Sequence, residues 1–402
     1  MKSIKMLIAA LIAVTAIAAN SMAISLTEYT FPTSISQDAF LSGAYNLNGT
    51  SQDSTQVGYN FSGAANYNLF YRSLPFSYQL SFSGDFYLRR ATPENAAQED
   101  GYNLNLSSRA NRYFKDTGKL FGFGSNRIQY QKLSGVVGSP FSEGKKPYID
   151  VTVGIGYGRS INATVLKQAI RMSEDFKRFG VTTGDLPDEA LLKLARIIDR
   201  KSEFQATYGT VEYRKYWYNA MEDVLREANV LKEGGLGAMG VVRIQEVLDE
   251  PTGQRIYGWE VRAGAGVVLS DYQGKSGDPL ATLEYDWSRP ISIKTQVNNN
   301  FIVSTVFTDD STQIYKFTEK FQVYYELSNR IHWDNTLNFE YRHPSEDNVK
   351  KYTSINLSSA FQFYIENQLT FNPSFILRRL DDGVNDAVTD WAFTGGITYR
   401  LR

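Results

Sequence analysis

The chain has 402 residues, a formal net charge of −1 and no cysteine. Balanced charge gives no reason to expect nucleic acid as a partner, and the lack of thiols excludes disulfides, thiolate metal sites and a lipid-modified N-terminal cysteine. Hydrophobic residues make up 42% and aromatic residues 14%, with 26 Tyr, 24 Phe and 31 Gly. This suits many strands with aromatic girdles at a membrane interface. It also suits a soluble β-sandwich, so the residue pattern has to decide.

Lys2 and Lys5 precede an apolar run from Met6 to Ala19, and Ser21-Met22-Ala23 then supplies a small-x-small triplet. This reads as a secretory signal peptide over 1–23, cleaved after Ala23, with Ala19 as a second candidate site. The run is too short to span a bilayer as a helix, and no later stretch reaches the roughly 18 to 20 apolar residues needed.

Residues 24–161 read as the N-terminal part of a β-barrel. Six strands fit, at about 39–48, 55–72, 75–91, 101–115, 119–134 and 147–160. Gly154, Gly156 and Gly158 share the lumen side of the last one. No Gly-Lys-Ser follows them at Walker spacing, so close backbone approach inside a strand is the reading, not a phosphate loop.

From residue 162 to 250 the period changes from two to between three and four, which marks a separate helical module. Val165, Ala169, Met172 or Ser173, and Phe176 form one amphipathic stripe, closed by Gly180 as a left-handed cap. Leu186-Pro187-Asp188-Glu189 opens a second helix through Leu191, Leu194, Ala195 and Ile198. A third carries Tyr213, Tyr216, Trp217, Ala220, Met221, Val224 and Leu225, and Val241, Ile244 and Leu248 suggest a fourth. Tyr213, Tyr216 and Trp217 are candidates for a partner-docking surface or a lipid-interface anchor. Core packing is the competing reading.

Residues 251–402 return to strict alternation, as expected where one face meets lipid and the other water. Trp391, Phe393, Gly395, Ile397, Tyr399 and Leu401 interleave with Ala392, Thr394, Gly396, Thr398 and Arg400. Ile331, Trp333, Leu337, Phe339 and Tyr341 interleave in the same way with His332, Asp334, Thr336, Asn338, Glu340 and Arg342. Spans of ten or more residues exceed the usual sandwich strand. Seven strands are counted in this half. With six before the module the total is thirteen, whereas single-chain bacterial barrels normally have an even number. Fourteen is the expectation, with twelve as the alternative. A short strand in Ile24 to Phe31, or one strand wrongly split or merged, would make up the difference.

Arg289-Pro290, Ser328-Asn329 and Glu366-Asn367 mark tight connections. The alternate ones, Tyr272 to Asp278, Thr308 to Gln313, His343 to Lys350 and Asp381 to Ala387, are longer and polar. Short periplasmic turns and long external loops place residue 252, and the helical insertion with it, on the periplasmic side.

The last stretch resembles the C-terminal β-signal of bacterial outer-membrane β-barrel proteins. Thr394, Gly396, Tyr399 and Leu401 match its polar, glycine, aromatic and hydrophobic positions. That family usually ends on Phe or Trp, and this chain ends Leu401-Arg402. The resemblance implies an all-β transmembrane antiparallel barrel in the outer membrane, with membrane lipid and the barrel-assembly machinery as partners. It names an architecture shared by many functions and so no substrate.

No catalytic or metal site is expected. Only His332 and His343 exist, and His343 with Ser345, Glu346 and Asp347 begins an external loop that reads as solvated. There is no His-x-x-x-His pair, Asp381, Asp382 and Asp386 read as a solvated turn, and no cofactor is implied. The expected lumen-lining set is Asp85, Arg89, Arg109, Glu260, Arg262, Glu284, Asp286, Lys294, Lys316, Lys320, Glu340 and Arg342. Charges of both signs can tune passage through a channel or cross-link a closed interior. The expected function is a transport or export channel whose periplasmic helices gate it or dock a periplasmic protein or the cell wall. The alternative is a non-conducting structural or partner-binding barrel.

Overall fold

The computed structural model describes residues 24–30, 34–48, 56–133, 146–250, 253–272, 274–308, 313–346, 350–365 and 369–400. The expected signal segment, Glu366-Asn367, Asp347 and Leu401 lie outside the described residues. Six strands come first: β1 Ser34–Asn48, β2 Gly58–Arg72, β3 Phe76–Arg90, β4 Gln98–Tyr113, β5 Leu120–Leu133 and β6 Tyr148–Asn162. Four helices follow, α1 Thr164–Arg178, α2 Asp188–Asp199, α3 Lys201–Glu227 and α4 Gly237–Asp249. The second half has β7 Ile256–Ser270, β8 Asp278–Pro290, β9 Thr295–Val306 and β10 Ile314–Ser328. It ends with β11 Ile331–Pro344, β12 Tyr352–Tyr364, β13 Leu369–Asp381 and β14 Val388–Arg400.

Each strand pairs antiparallel with its sequence neighbours, and β1 pairs with β14, so the fourteen strands close into one barrel with the helices inserted between β6 and β7. The even total does not come from Ile24 to Phe31. The second half holds eight strands, one more than the count from alternation. Leu26–Glu28 is instead a short 3-10 turn, in which Glu28 accepts from the Ser25 amide at 2.9 Å and Ser25 Oγ from the Thr27 amide at 3.3 Å.

Alternation assigns the two faces. Val153, Ile155, Leu283, Phe375, Trp391, Phe393 and Ile397 point outward and are exposed on the barrel surface. Their neighbours in sequence point inward because successive side chains of a strand lie on opposite faces. A closed apolar exterior leaves no backbone edge for lipid to cover, the requirement for strands that cross a membrane. Among the described residues the closing seam is the shortest, running from Phe40 opposite Arg400 to Gly43 opposite Ile397, whereas β1 pairs with β2 from Ser34 to Asn48.

Glycines in β6 admit large rings. A Cβ on Gly156 would meet the Phe121 ring, and one on Gly154 would meet Phe123 and the Ala263 carbonyl. Phe121 and Phe123 are thereby buried inside the barrel, with Tyr113 packed on Phe121 at 5.0 Å between ring centroids.

The main apolar core belongs to the helices. Leu166, Ala169, Met172 and Phe176 of α1 are buried against Leu194 of α2, Trp217 and Met221 of α3 and Ile244 of α4. These spacings of three and four residues put each set on one helical face. Gly180, at φ +72°, ends α1 as the sequence suggests, and Pro187 is the N-cap of α2 with Asp188 and Glu189 in its first turn. Gly209, at φ 75° and ψ 165°, kinks α3. Ile24, Leu26 and Tyr29 pack into the same core, so this N-terminal stretch lies with the helices. Among the described residues no helix is long and apolar enough to cross a membrane.

Candidate functional site

The barrel interior is asymmetric. Along β2, β4, β7 and β8 inward side chains meet one another across the lumen, while on β14 Ala392 and Thr394 remain exposed on the inner wall. The crossing is made by three arginines and three carboxylates. Arg262 pairs with Glu260 and Asp286 and approaches Glu284 at 3.5 Å. Arg109 reaches from β4 to Glu284 on β8, and Arg72 from β2 to Glu260 on β7 at 3.4 Å. Strand register makes this possible, since Glu260 lies opposite Asp286 and Arg262 opposite Glu284 in the β7–β8 ladder.

Further hydrogen bonds fix the acids. Ser160 donates to Glu260 through its amide at 3.0 Å and its hydroxyl at 2.9 Å, and Asn300 donates to Asp286 at 2.5 Å. Glu260 is 2% exposed and Arg262 5%, so neither charge is compensated by bulk water and each depends on its partners. The aromatic group beneath completes the environment: Arg262 lies 5.9 Å from the Phe121 ring centroid and Arg159 3.8 Å from that of Tyr113.

Two cavities flank the crossing. One of about 600 Å³ is bordered by Arg72, Arg109, Arg262, Glu260, Asp286 and Lys320, among others. The second, of about 250 Å³, is bordered by Arg109, Arg127, Asp150 and Glu284. Arg109 borders both, so the Arg109–Glu284 pair is a partition between them.

The remaining residues expected at the lumen occupy different depths. Asp85 accepts a hydrogen bond from Asn103 at 3.4 Å, and Arg89 pairs with Glu99 at 2.6 Å toward the long-loop end. Glu340 receives Lys316 at 3.1 Å and Arg342 at 2.6 Å. Lys320 borders the larger cavity. Lys294 does not line the lumen. It lies exposed in the turn after β8, where the alternation that assigned it a face has stopped.

The docking set is also corrected. Tyr213 and Trp217 are buried in the helical core, where Trp217 Nε1 donates to the Ile197 carbonyl at 2.7 Å. Only Tyr216 reaches the surface, stacked on Tyr208 at 3.9 Å. Of the assembly-signal residues, Tyr399 faces outward, Gly396 inward, and Thr394 shares a 2.7 Å hydrogen bond with Ser374 across β13 and β14. His343 contacts the Tyr341 hydroxyl at 3.4 Å, and Ser345 Oγ accepts from the Gln313 amide at 2.8 Å.

A second polar cluster, absent from the sequence reading, fastens the helices to the barrel. Lys167 of α1 and Arg255, just before β7, both pair with Glu326 near the end of β10, and all three are buried. Arg255 also donates to the carbonyls of Ile293 at 2.7 Å and of Gly253 and Gln254 at 3.0 Å. Two cations therefore share one carboxylate. Burial, with the Arg255 charge beside it, pushes the Lys167 ammonium down to about 7. Outside this knot Glu250 pairs with Arg171 at 2.8 Å and accepts from Asn329 at 3.3 Å. The Tyr257 hydroxyl donates to the Tyr29 carbonyl at 2.8 Å. Nothing in the sequence hinted at this: Lys167 lies off the apolar stripe of α1, two residues from both Val165 and Ala169, and its partner lies 159 residues away.

No family model matches the chain, and neither does any curated protein. Among solved structures, the β domain of the Bordetella autotransporter BrkA aligns over 92% of this chain and 100% of its own, at 6% identity and TM-score 0.29. A loop-deletion mutant of OmpT, an outer membrane protein of Vibrio cholerae, aligns over 92% and 100% at 6% identity and TM-score 0.32. The CymD monoaromatic hydrocarbon channel aligns over 93% and 90% at 11% identity and TM-score 0.29. At such scores the architecture rests on the chain's own closed strand pairing. An even-stranded antiparallel barrel with an apolar exterior and a polar interior is that of bacterial outer-membrane barrels.

Proposed function

We propose that the chain is an outer-membrane transport barrel held closed at rest, with the helical module as its periplasmic gate. The observation that carries this is the knot of Lys167, Arg255 and Glu326, which fastens α1 to the short-turn end of the barrel. Fourteen strands enclose more space than the eight whose interior side chains can fill, and the exposed inner wall along β14 leaves room for solute. The short turns, such as Asn329-Arg330, share an end with the helices, which supports a periplasmic position because short turns face the periplasm. Passage needs two changes: release of the helices and parting of the Arg109–Glu284 partition.

A non-conducting barrel that docks a periplasmic protein or the cell wall is the second reading, favoured by the ion pairs that cross the interior. Replacing 164–249 with a short turn and measuring sugar uptake into proteoliposomes separates the two. A gate releases uptake when removed. A docking module leaves uptake unchanged and loses its co-purifying partner.

A further inference from the structure

The cavity of about 600 Å³ inside the barrel has the size of pockets that hold small organic ligands. Its charges do not cancel. Arg72, Arg109 and Arg262 are matched by Glu260, Glu284 and Asp286, even though Glu284 borders only the neighbouring cavity. Lys320 remains as an extra cation, exposed to the cavity and with no hydrogen bond or ion pair among the described residues. Asp334, whose charge interacts with that of Lys320, is held by Gln322 at 2.8 Å and by Thr336 at 3.2 Å and forms no ion pair with it.

The lining also carries unmet hydrogen-bonding capacity. Arg72, Arg262 and Asn111 are each 5% exposed, yet Nε of both arginines and Oδ1 of the asparagine have no hydrogen-bond partner. Buried polar atoms are rarely left so. With Arg109 Nε, which is also without a partner, three donors and one acceptor from β2, β4 and β7 border the cavity and call for a ligand that both accepts and donates. Amides surround them, with Asn68, Asn298 and Gln322 on the same cavity, and the half-buried ring of Phe70 supplies an apolar face.

We propose that this cavity binds an acidic, hydroxyl-rich solute of about disaccharide size, a sugar acid, with its carboxylate at Lys320 and its hydroxyls among the amides and the unmet arginine and asparagine atoms. A small inorganic anion would satisfy Lys320 and leave most of the cavity unused. A neutral sugar would satisfy the amides and leave the extra cation uncompensated. The proposal deepens the transport reading and rests on the lumen admitting solute. Its test is separable, because binding to the barrel in detergent does not require passage through it.

Isothermal titration of the full chain in detergent, with digalacturonate, cellobiose and inorganic phosphate as probes, decides the matter. Digalacturonate is expected to bind about tenfold more tightly than cellobiose, the scale of one charge contact in a partly enclosed site. Lys320→Gln should remove that preference, and Lys320→Arg should keep it. Lys320 makes no hydrogen bond or ion pair among the described residues, so both variants should retain the heat-modifiable fold. No digalacturonate binding, phosphate binding as tightly as digalacturonate, or a preference unchanged in Lys320→Gln would each overturn the proposal. Loss of conductance alone would count against the transport reading and not against this site.

Discussion

Arg109 and Glu284 form an ion pair across the barrel interior although β5, β6 and β7 separate their strands along the wall. Such a pair ties distant parts of the wall together, and the same lattice holds Arg72 and Arg262 on one buried acid, Glu260. Glu260→Gln would leave two buried guanidiniums short of countercharge. It should cost about 3–5 kcal/mol, read as a lower urea midpoint for unfolding in detergent. Arg89→Gln, which breaks a half-exposed pair with Glu99, should cost about 0–1 kcal/mol. Equal effects would mean that the crossing lattice is not desolvated.

The shared carboxylate at Glu326 gives a pH dependence with a definite sign. The unfolded chain keeps the Lys167 proton up to its ordinary value of 10.5, and the folded one releases it near 7. The unfolded state thus binds more protons between these values, and stability rises with pH across that window. Thermal unfolding of the helices, followed by circular dichroism at a helix-sensitive wavelength, should move upward from pH 7 to 9. Lys167→Met should flatten this dependence and keep the fold, since Arg255 still serves Glu326. Glu326→Gln should destabilise strongly. A Lys167→Met variant with an undiminished slope would remove Lys167 as the cause.

Closure between β1 and β14 is directly checkable because the chain has no cysteine. Gly43 lies opposite Ile397 on adjacent antiparallel strands, within reach of a cross-strand bridge. Gly43→Cys with Ile397→Cys should form a disulfide that alters gel mobility until reductant is added. Leu47→Cys with Ile397→Cys, four residues out of register, should stay reduced. The opposite pattern would refute this register.

Much of this architecture was legible in the sequence because a two-residue period fixes the face of each strand residue and a period of three to four fixes the buried stripe of each helix. Trp391, Phe393 and Ile397 point outward, and Leu166, Ala169 and Phe176 are buried. The seven connections read after residue 252, the tight Ser328-Asn329 turn between β10 and β11 among them, already separate eight strands, one more than the seven counted. Alternation marks faces and not ends, and β9 begins only at Thr295. Lys294 was misplaced for the same reason, and Tyr213 and Trp217 look alike in sequence whether they dock a partner or fill a core. The lattice itself was out of reach. Arg72 and Glu260 are 188 residues apart, and only barrel closure brings them together.

The proposed periplasmic position of the helices rests on the alternation of short and long connections. An epitope tag beside Asp185, exposed between α1 and α2, should be hidden from antibody on intact cells and accessible after the outer membrane is permeabilised. Labelling on intact cells would invert the topology.

The central claim is that a solute path runs through this barrel and is shut by its helices. Single-channel recording in planar bilayers, with the intact chain beside a variant in which a short turn replaces 164–249, tests it most directly. The account predicts rare, brief openings from the intact chain and sustained, larger ones from the variant. A correctly folded barrel that never conducts, with or without its helices, would contradict it.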